Sequence, residues 1–270
     1  MLGLGLGINK YRFVGGGGSN LDPDAQAFLT AAGITDPTIE TAINNLVLSL
    51  KAESYWDRMP AFYPIVGGTA SAHKFNLKDP RNLDAAFRLT FSGSITHDAN
   101  GMQGNGSNGF ANTHMVLGSV TSINSAMMFM YSGTNTNGNY YDMGAFDGGA
   151  GNVIAAINAR VSDVMLGAMN QDDQGAIPST TDSTGFHAIT RYNGTQELRN
   201  IRGTNTSPYG RTSIAEPTIV QYLMAWNTSG SASNYSPRLY KAFGYGDGFS
   251  GAELNTLNTI VTTFQTELGR

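Results

Sequence analysis

Phe186-His187-Ala188-Ile189-Thr190-Arg191-Tyr192-Asn193-Gly194-Thr195-Gln196-Glu197-Leu198-Arg199-Asn200-Ile201 reads as two short strands parted by Asn-Gly, and its grammar decides the fold. Runs of four to eight apolar or alternating residues, punctuated by glycine, asparagine and proline, are the signature of a sandwich or barrel. The same grammar holds from Ala61 onward for nearly two hundred residues, with no helical periodicity. It predicts strands over Phe62–Val66, Ala72–Leu77, Phe87–Phe91, Ala126–Tyr131, Tyr140–Ala145 and Val153–Ala159. Further strands are predicted over Asp163–Met169, Phe186–Tyr192, Gln196–Ile201, Ile219–Trp226 and Arg238–Gly244. Within Ala72–Leu77, period-two alternation puts His73, Phe75 and Leu77 on one face and Lys74 and Asn76 on the other.

Helical signals flank this block. Asp22-Pro23 and Asp36-Pro37 each set a capping carboxylate before a proline at the first helical position, where its missing N–H costs nothing. The first helix is predicted over Pro23–Ala32, ending at Gly33. The second is predicted from Pro37 to Glu53, with Ile39, Ile43, Leu46, Val47 and Leu50 on one face. Ser250 and Glu253 form a capping box, and Leu254, Leu257, Val261, Phe264 and Leu268 repeat behind it up to Gly269. That stripe packs on the sandwich or on the helical hairpin, or forms a seam between subunits. The chain so divides into 1–20, 21–56 (a helical hairpin) and 57–270 (a sandwich closed by a helix).

The first eighteen residues form a separate strip. Alternation in an extended strand puts Leu2, Leu4, Leu6 and Ile8 on one face and leaves Gly3, Gly5 and Gly7 bare on the other, ahead of the hinge Gly15–Gly18. This predicts an anchor by which residues 1–18 plug into a larger assembly, against the alternative of a first strand in the domain's own sheet. Lys10 and Arg12 follow the apolar run instead of preceding it, which reads against a secretory signal. Burial of the four side chains barely offsets the ordering of a glycine-rich strand, so a reliable anchor calls for several copies, a trimer or pentamer.

Composition narrows the function. Charged residues are 13 % of the chain and the net charge is −4, which leaves no basic field for nucleic acid. There is no cysteine, hence no disulfide and no thiolate metal site. No window of eighteen apolar residues offers a membrane span. The profile suits an extracellular or virion-type module.

Catalytic chemistry is poorly signalled. Of six glutamates, Glu40, Glu53, Glu253 and Glu267 fall in predicted helices, which leaves Glu197 and Glu216 without the paired-carboxylate spacing a glycosidase needs. His73, His97, His114 and His187 lack ligand spacing, so no metal is assigned. Calcium is not signalled either, although Asp98, Asn100, Asp142 and Asp147 supply loop oxygens. Carbohydrate binding needs aromatic rings on loops beside amides. Tyr140 and Tyr141 follow the Gly/Asn/Thr loop 133–139, and Tyr235 lies in the Ser/Asn loop 229–236. Trp226, in line with Tyr222 and Met224, reads as core.

A resemblance adds to this reading. Trp56-Asp57-Arg58-Met59, Phe62-Tyr63-Pro64-Ile65-Val66-Gly67-Gly68-Thr69-Ala70, His73-Lys74-Phe75-Asn76-Leu77-Lys78-Asp79-Pro80-Arg81, Leu83-Asp84-Ala85-Ala86-Phe87-Arg88-Leu89 and Asn105-Gly106-Ser107-Asn108-Gly109 carry it. The helix pair at 24–36 and the closing Phe264-Gln265-Thr266-Glu267-Leu268-Gly269-Arg270 belong to the same pattern. These segments resemble a bacteriophage virion family of fibre, spike and tail-associated proteins with a concanavalin A/laminin-G-like sandwich. The resemblance implies an all-β, antiparallel jelly-roll fold, a virion location and host adhesion, and it supplies no catalytic residues. The expected function is a surface-displayed attachment module that binds a host glycan or other receptor. A purely architectural decoration protein and a glycan depolymerase are the alternatives.

Overall fold

The computed structural model describes residues 21–178, 181–206 and 209–270. The predicted anchor, with Leu2, Leu4, Leu6 and Ile8, lies outside the described residues.

Helices α1 (Pro23–Ala32) and α2 (Pro37–Ala52) begin as their caps demand: Asp22 accepts from Asp24 N–H, and Asp36 from Thr38 and Ile39 N–H. Gly33 ends α1 in the left-handed region at φ 65°, donating to Leu29 and Thr30 carbonyls. A short helix α3 (Ala70–His73) comes next, and α4 (Gly251–Glu267) closes the chain behind the complete Ser250/Glu253 capping box.

The strands, in chain order, are β1 (Ala61–Tyr63), β2 (Thr90–Ser92), β3 (Ile95–Asp98), β4 (Gly101–Gly104), β5 (Phe110–Val116) and β6 (Ala126–Ser132). Then come β7 (Met143–Asp147), β8 (Val153–Val161), β9 (Val164–Gln171), β10 (Gly175–Pro178), β11 (Gly185–Asn193) and β12 (Gln196–Ile201). The last are β13 (Thr204–Asn205), β14 (Tyr209–Gly210), β15 (Val220–Leu223), β16 (Trp226–Thr228), β17 (Ser231–Ser233) and β18 (Leu239–Gly246). They form two sheets. The first runs β13-β12-β11-β6-β18-β4-β3, with β1 on β18 and β14 on β12; the second runs β10-β9-β8-β7-β15-β5-β2, with the β16–β17 pair on β7. The pairings are antiparallel apart from β16 on β7. The chain is an antiparallel jelly-roll sandwich with an N-terminal helical hairpin and a C-terminal helix.

Two apolar cores result. One lies between the sheets and is rich in methionine: Met115, Met128, Met130, Met143, Met165 and Met169 fill it with Tyr63, Tyr240 and Phe243. Unbranched thioethers suit the irregular gap between two twisted sheets. The other lies between the outer face of the first sheet (Phe129, Phe186, Ala188, Leu198) and the helices (Phe28, Leu46, Leu50, Leu257, Phe264). The stripe on α4 packs on both the sheet and α2.

Several predicted strands are corrected. Ala72–Leu77 is not a strand: Thr69 caps α3 through Ala72 N–H at 3.3 Å, and the chain then turns. Asn76, predicted to face away from the core, is fully buried and serves as a backbone surrogate. Its Oδ1 accepts from Phe62 and Lys78 N–H, and its Nδ2 donates to the Pro60 and Ala86 carbonyls. Phe62–Val66 shortens to β1, since Ile65 takes φ 35°, and Phe87, at φ 58°, keeps the first half of Phe87–Phe91 out of a strand. Tyr140–Ala145 shifts to β7, and Ile219–Trp226 breaks at Met224, φ 65°. The strands β2–β5 contain the largest omission. In β5 the inward residues include Ala111 and Thr113, too small and too polar to advertise alternation.

Candidate functional site

The two sheets differ in what covers their outer faces. Helices cover the first, whereas no described α-helix packs on the second. Strand alternation in the second sheet sends Met143, Ala155, Ile157, Met165 and Leu223 inward. Among the outward residues, small and aromatic side chains pack together. Gly144, Ala156 and Ala168 are small, and aromatic rings occupy the space above them.

Six aromatic side chains share this face in two groups. Trp226 stacks on Tyr141 with ring centres 4.0 Å apart and 11° between planes, and on Phe146 at 5.5 Å and 27°. Phe110 lies 4.8 Å from Tyr222 and 6.2 Å from Tyr235. Register explains the arrangement, because Tyr222 pairs with Gly144 while Asn227 and Thr228 pair with Ala145 and Phe146. Gly144 is required by space as well as by its φ of 148°: a Cβ there would lie 2.4 Å from the Ala156 Cβ. Met224 supplies the reversal between β15 and β16. Its left-handed backbone donates to the Asp142 carbonyl and accepts from Ser236 N–H.

The three tyrosines singled out from the sequence lie in two loops that are tied together, but Tyr141 and Tyr235 belong to different ring groups and Tyr140 to neither. Tyr141 N–H donates to the Asn234 carbonyl at 2.9 Å, and Asn234 Nδ2 donates to Asn139 at 3.3 Å, so loops 133–139 and 229–236 are tied together. Tyr140 is half-buried, with the Arg238 guanidinium 5.8 Å from its ring centre. Tyr235 is half-buried, and its hydroxyl donates to Ala232. Tyr141 is only 4 % exposed, with its hydroxyl bonded to Gln174 Nε2 at 2.5 Å. Trp226 packs against a small buried apolar cluster of Tyr141, Ile154, Ala156 and Ala168, as its reading as core expects, but on the outer side of the second sheet. The break at Met224 takes it out of line with Tyr222 and leaves it half-buried on the uncovered face. Phe110 and Phe146 went unassigned in the sequence, where nothing marks which face of a strand stays uncovered.

A buried polar network holds the loops from beneath. Arg238 donates to Asp142 at 2.7 Å, to the Thr136 carbonyl at 2.7 Å and to the Arg160 carbonyl at 3.0 Å. The Tyr240 hydroxyl bonds Asp142 and, at 2.6 Å, Ser236; Ala159 N–H donates to Asp142 Oδ2 at 2.6 Å. Burial, reinforced by the Asp142 carboxylate, pushes the Tyr240 phenol well above its ordinary range. Burial alone would lower the Arg238 pKa, but the carboxylate outweighs it and the pKa is raised.

The carboxylates considered for chemistry lie elsewhere. Glu197 is fully buried between the sheets and paired with Arg199. Asp147 accepts from Thr218 Oγ1 and from the N–H groups of Thr218, Gly149 and Ala150; these bonds, the hydroxyl first, hold its pKa below the usual carboxylate range. The oxygens considered for calcium do not converge: Asp142 is bound to Arg238, and Asp98 caps Asn100 N–H. Among the described residues no three His, Asp or Glu side chains form a metal-binding group. No described helix is long and apolar enough to cross a membrane. A cleft of about 830 Å³ opens instead between the α1–α2 turn and segment 66–72, and none of the three tyrosines lines it.

No protein-family model matches the sequence, and no curated protein matches it. Solved structures do match in fold. A mutant Trypanosoma rangeli sialidase with trans-sialidase activity aligns at TM-score 0.53 and 11 % identity, over 84 % of this chain and 39 % of that one. The binding domain of botulinum neurotoxin DC, in complex with rat synaptotagmin II, aligns at 0.52 and 10 % identity, over 76 % and 52 %. Botulinum neurotoxin type C aligns at 0.51 and 9 % identity, over 78 % and 53 %. The chain thus spans about half or less of these structures, and at such identities the likeness is one of fold.

Proposed function

We propose that this protein is a glycan-binding attachment module of a phage virion, and that the uncovered aromatic face of the second sheet is its binding surface. The observation that carries the glycan reading is the set of six aromatic side chains on a sheet face on which no described α-helix packs. Four of the six rings are half-buried at this face, and rings flanked by amides match the C–H faces and hydroxyls of sugars. Botulinum neurotoxin type C, which depends on interaction with two ganglioside molecules, shares the fold. That is precedent for the scaffold alone, because function lives in sites and not in folds. Binding without turnover is the proposed mode, since Glu197 is sealed between the sheets.

The test is binding of the purified protein to host cells and to their extracted polysaccharide. Phe146→Ala and Trp226→Ala are each expected to weaken binding about 30-fold, the loss typical of a central aromatic anchor. The melting temperature should shift little, because both rings are half-buried at the surface. Unchanged binding in both variants would remove this face from consideration. Release of new reducing ends from the polysaccharide would replace the binding reading with depolymerase activity.

The virion assignment rests on the resemblance and on the apolar strip at residues 1–18. In this reading the strip docks into other virion proteins, and several copies, as a trimer or pentamer, hold together through avidity. Deleting residues 1–14 is expected to leave a folded, soluble protein that no longer enters particles. If the truncated protein aggregates or melts early, the strip is instead a strand of the domain. If the truncated protein still assembles into particles, the anchor is excluded.

A further inference from the structure

We infer that the aromatic face selects uncharged glycans and rejects sialylated or uronic-acid chains. The inference rests on the glycan reading above and specifies its substrate class. Its first support is the charge pattern. At outward positions of the second sheet the titratable side chains other than tyrosine are His114 and Arg160, both near strand ends. Neither is free. His114 bonds Thr90 at 2.8 Å and faces Asp84 at 3.6 Å, while Arg160 bonds Asp163 at 2.6 Å and Asn135 at 2.7 Å. Arg211, beside the β9–β10 loop, is matched by Asp173, and Arg238 by Asp142. Asp172 and Asp173 are exposed two residues and one residue before Gln174, the residue bonded to Tyr141. A carboxylate laid on this face would lose hydration, find each nearby guanidinium already neutralised, and meet one further acid, Asp172.

The second support is the pattern of unmet hydrogen bonds around Tyr141. The Trp226 indole Nε1 and the Gln174 Oε1 have no partner within the protein. One donates and the other accepts. A sugar hydroxyl offers both capacities at once, whereas an ionised carboxylate only accepts and would leave the amide oxygen unsatisfied. Both atoms are buried on half-buried side chains. An orphaned buried acceptor is costly to leave unmade, which gives the hydroxyl its advantage.

The test uses the full chain on immobilised polymers at 50 and 500 mM NaCl: dextran, galactomannan and β-1,3-glucan as neutral probes, and polysialic acid, polygalacturonate and hyaluronate as acidic ones. At least one neutral polymer should bind with less than about a twofold change across that salt range, since screening acts on charge pairs. The acidic polymers should show no retention. Gln174→Glu should weaken the neutral interaction about fivefold or more, by removing the amide that orders Tyr141 and adding a third acid. Salt-sensitive retention of an acidic polymer would overturn the neutral assignment while leaving the glycan reading in place. Failure of all six polymers and of host polysaccharide to bind would overturn both.

Discussion

Glu197→Ala is expected to destabilise the sandwich by about 3–5 kcal/mol, the cost of leaving buried guanidinium groups without their carboxylate. Glu197 and Arg199 are fully buried, with Oε1 and Nη2 2.8 Å apart, and Arg191 lies 3.9 Å from the other oxygen. Glu197 also accepts from Met169 N–H at 2.8 Å. The two arginines reach across to the second sheet. Arg199 donates to the carbonyls of Met165, Gly167 and Gly175, and Arg191 to those of Met169 and Arg211. The triad therefore stitches β11 and β12 to β9 and β10 through an otherwise apolar interior. Urea denaturation at pH 7.5 measures the loss. Glu197→Leu combined with Arg199→Met and Arg191→Met should recover much of it, because a well-packed apolar replacement of a buried ion cluster is often tolerated. A loss below about 1 kcal/mol for the single variant would mean that the triad does not hold the sheets together.

Acid is expected to destabilise the protein well before its carboxylates titrate. Burial pushes the His187 pKa from 6.5 down to about 4; the Gly185 carbonyl and Asp142 oppose the shift, and Arg238 and Arg202 add to it. Burial likewise lowers His73 to about 3, with His97 and Arg270 acting the same way and Asp98 against. Both imidazoles are therefore neutral in the folded protein at pH values where the unfolded chain takes up protons. The sign follows from linkage: stability is full above about pH 6.5 and falls as the pH drops toward 4, by up to about 1.4 kcal/mol per pH unit for each histidine. Urea midpoints measured from pH 7.5 to 4.5 should decline across that window. His73→Gln with His187→Gln should flatten the profile. A flat profile in the unsubstituted protein would mean that neither imidazole is held neutral.

How far the sequence was legible depended on whether a signal was local. The caps of α1, α2 and α4 lie in three or four adjacent residues, and each acted where it stood, down to the stop at Gly33. Long apolar runs such as Val153–Ala159 and the Asn-Gly-broken pair at 186–201 also formed strands, because β propensity and two-sided burial agreed there. Ala72–Leu77 misled because His73, Phe75 and Leu77 are indeed buried, but from a capped turn in which Ala72 and the backbone-bonding Asn76 are buried with them.

The candidate site was legible only in part. Tyr140, Tyr141 and Tyr235 carry their signal in Gly/Asn-rich surroundings, and the structure ties together the two loops that hold them. It also buries Tyr141 and brings Trp226 out, because a left-handed Met224 reverses the chain beside Gly144. By itself the sequence determined the strand-rich class, the helix boundaries and the low charge content, since these follow from composition, propensity and contacts within a few residues. Only the tertiary structure decided which sheet the helices cover, and hence that Phe110, Tyr222, Phe146 and Trp226 stand on the uncovered side. Alternation along a strand distinguishes its two faces, but which face meets a helix and which meets water depends on pairings between residues more than a hundred positions apart.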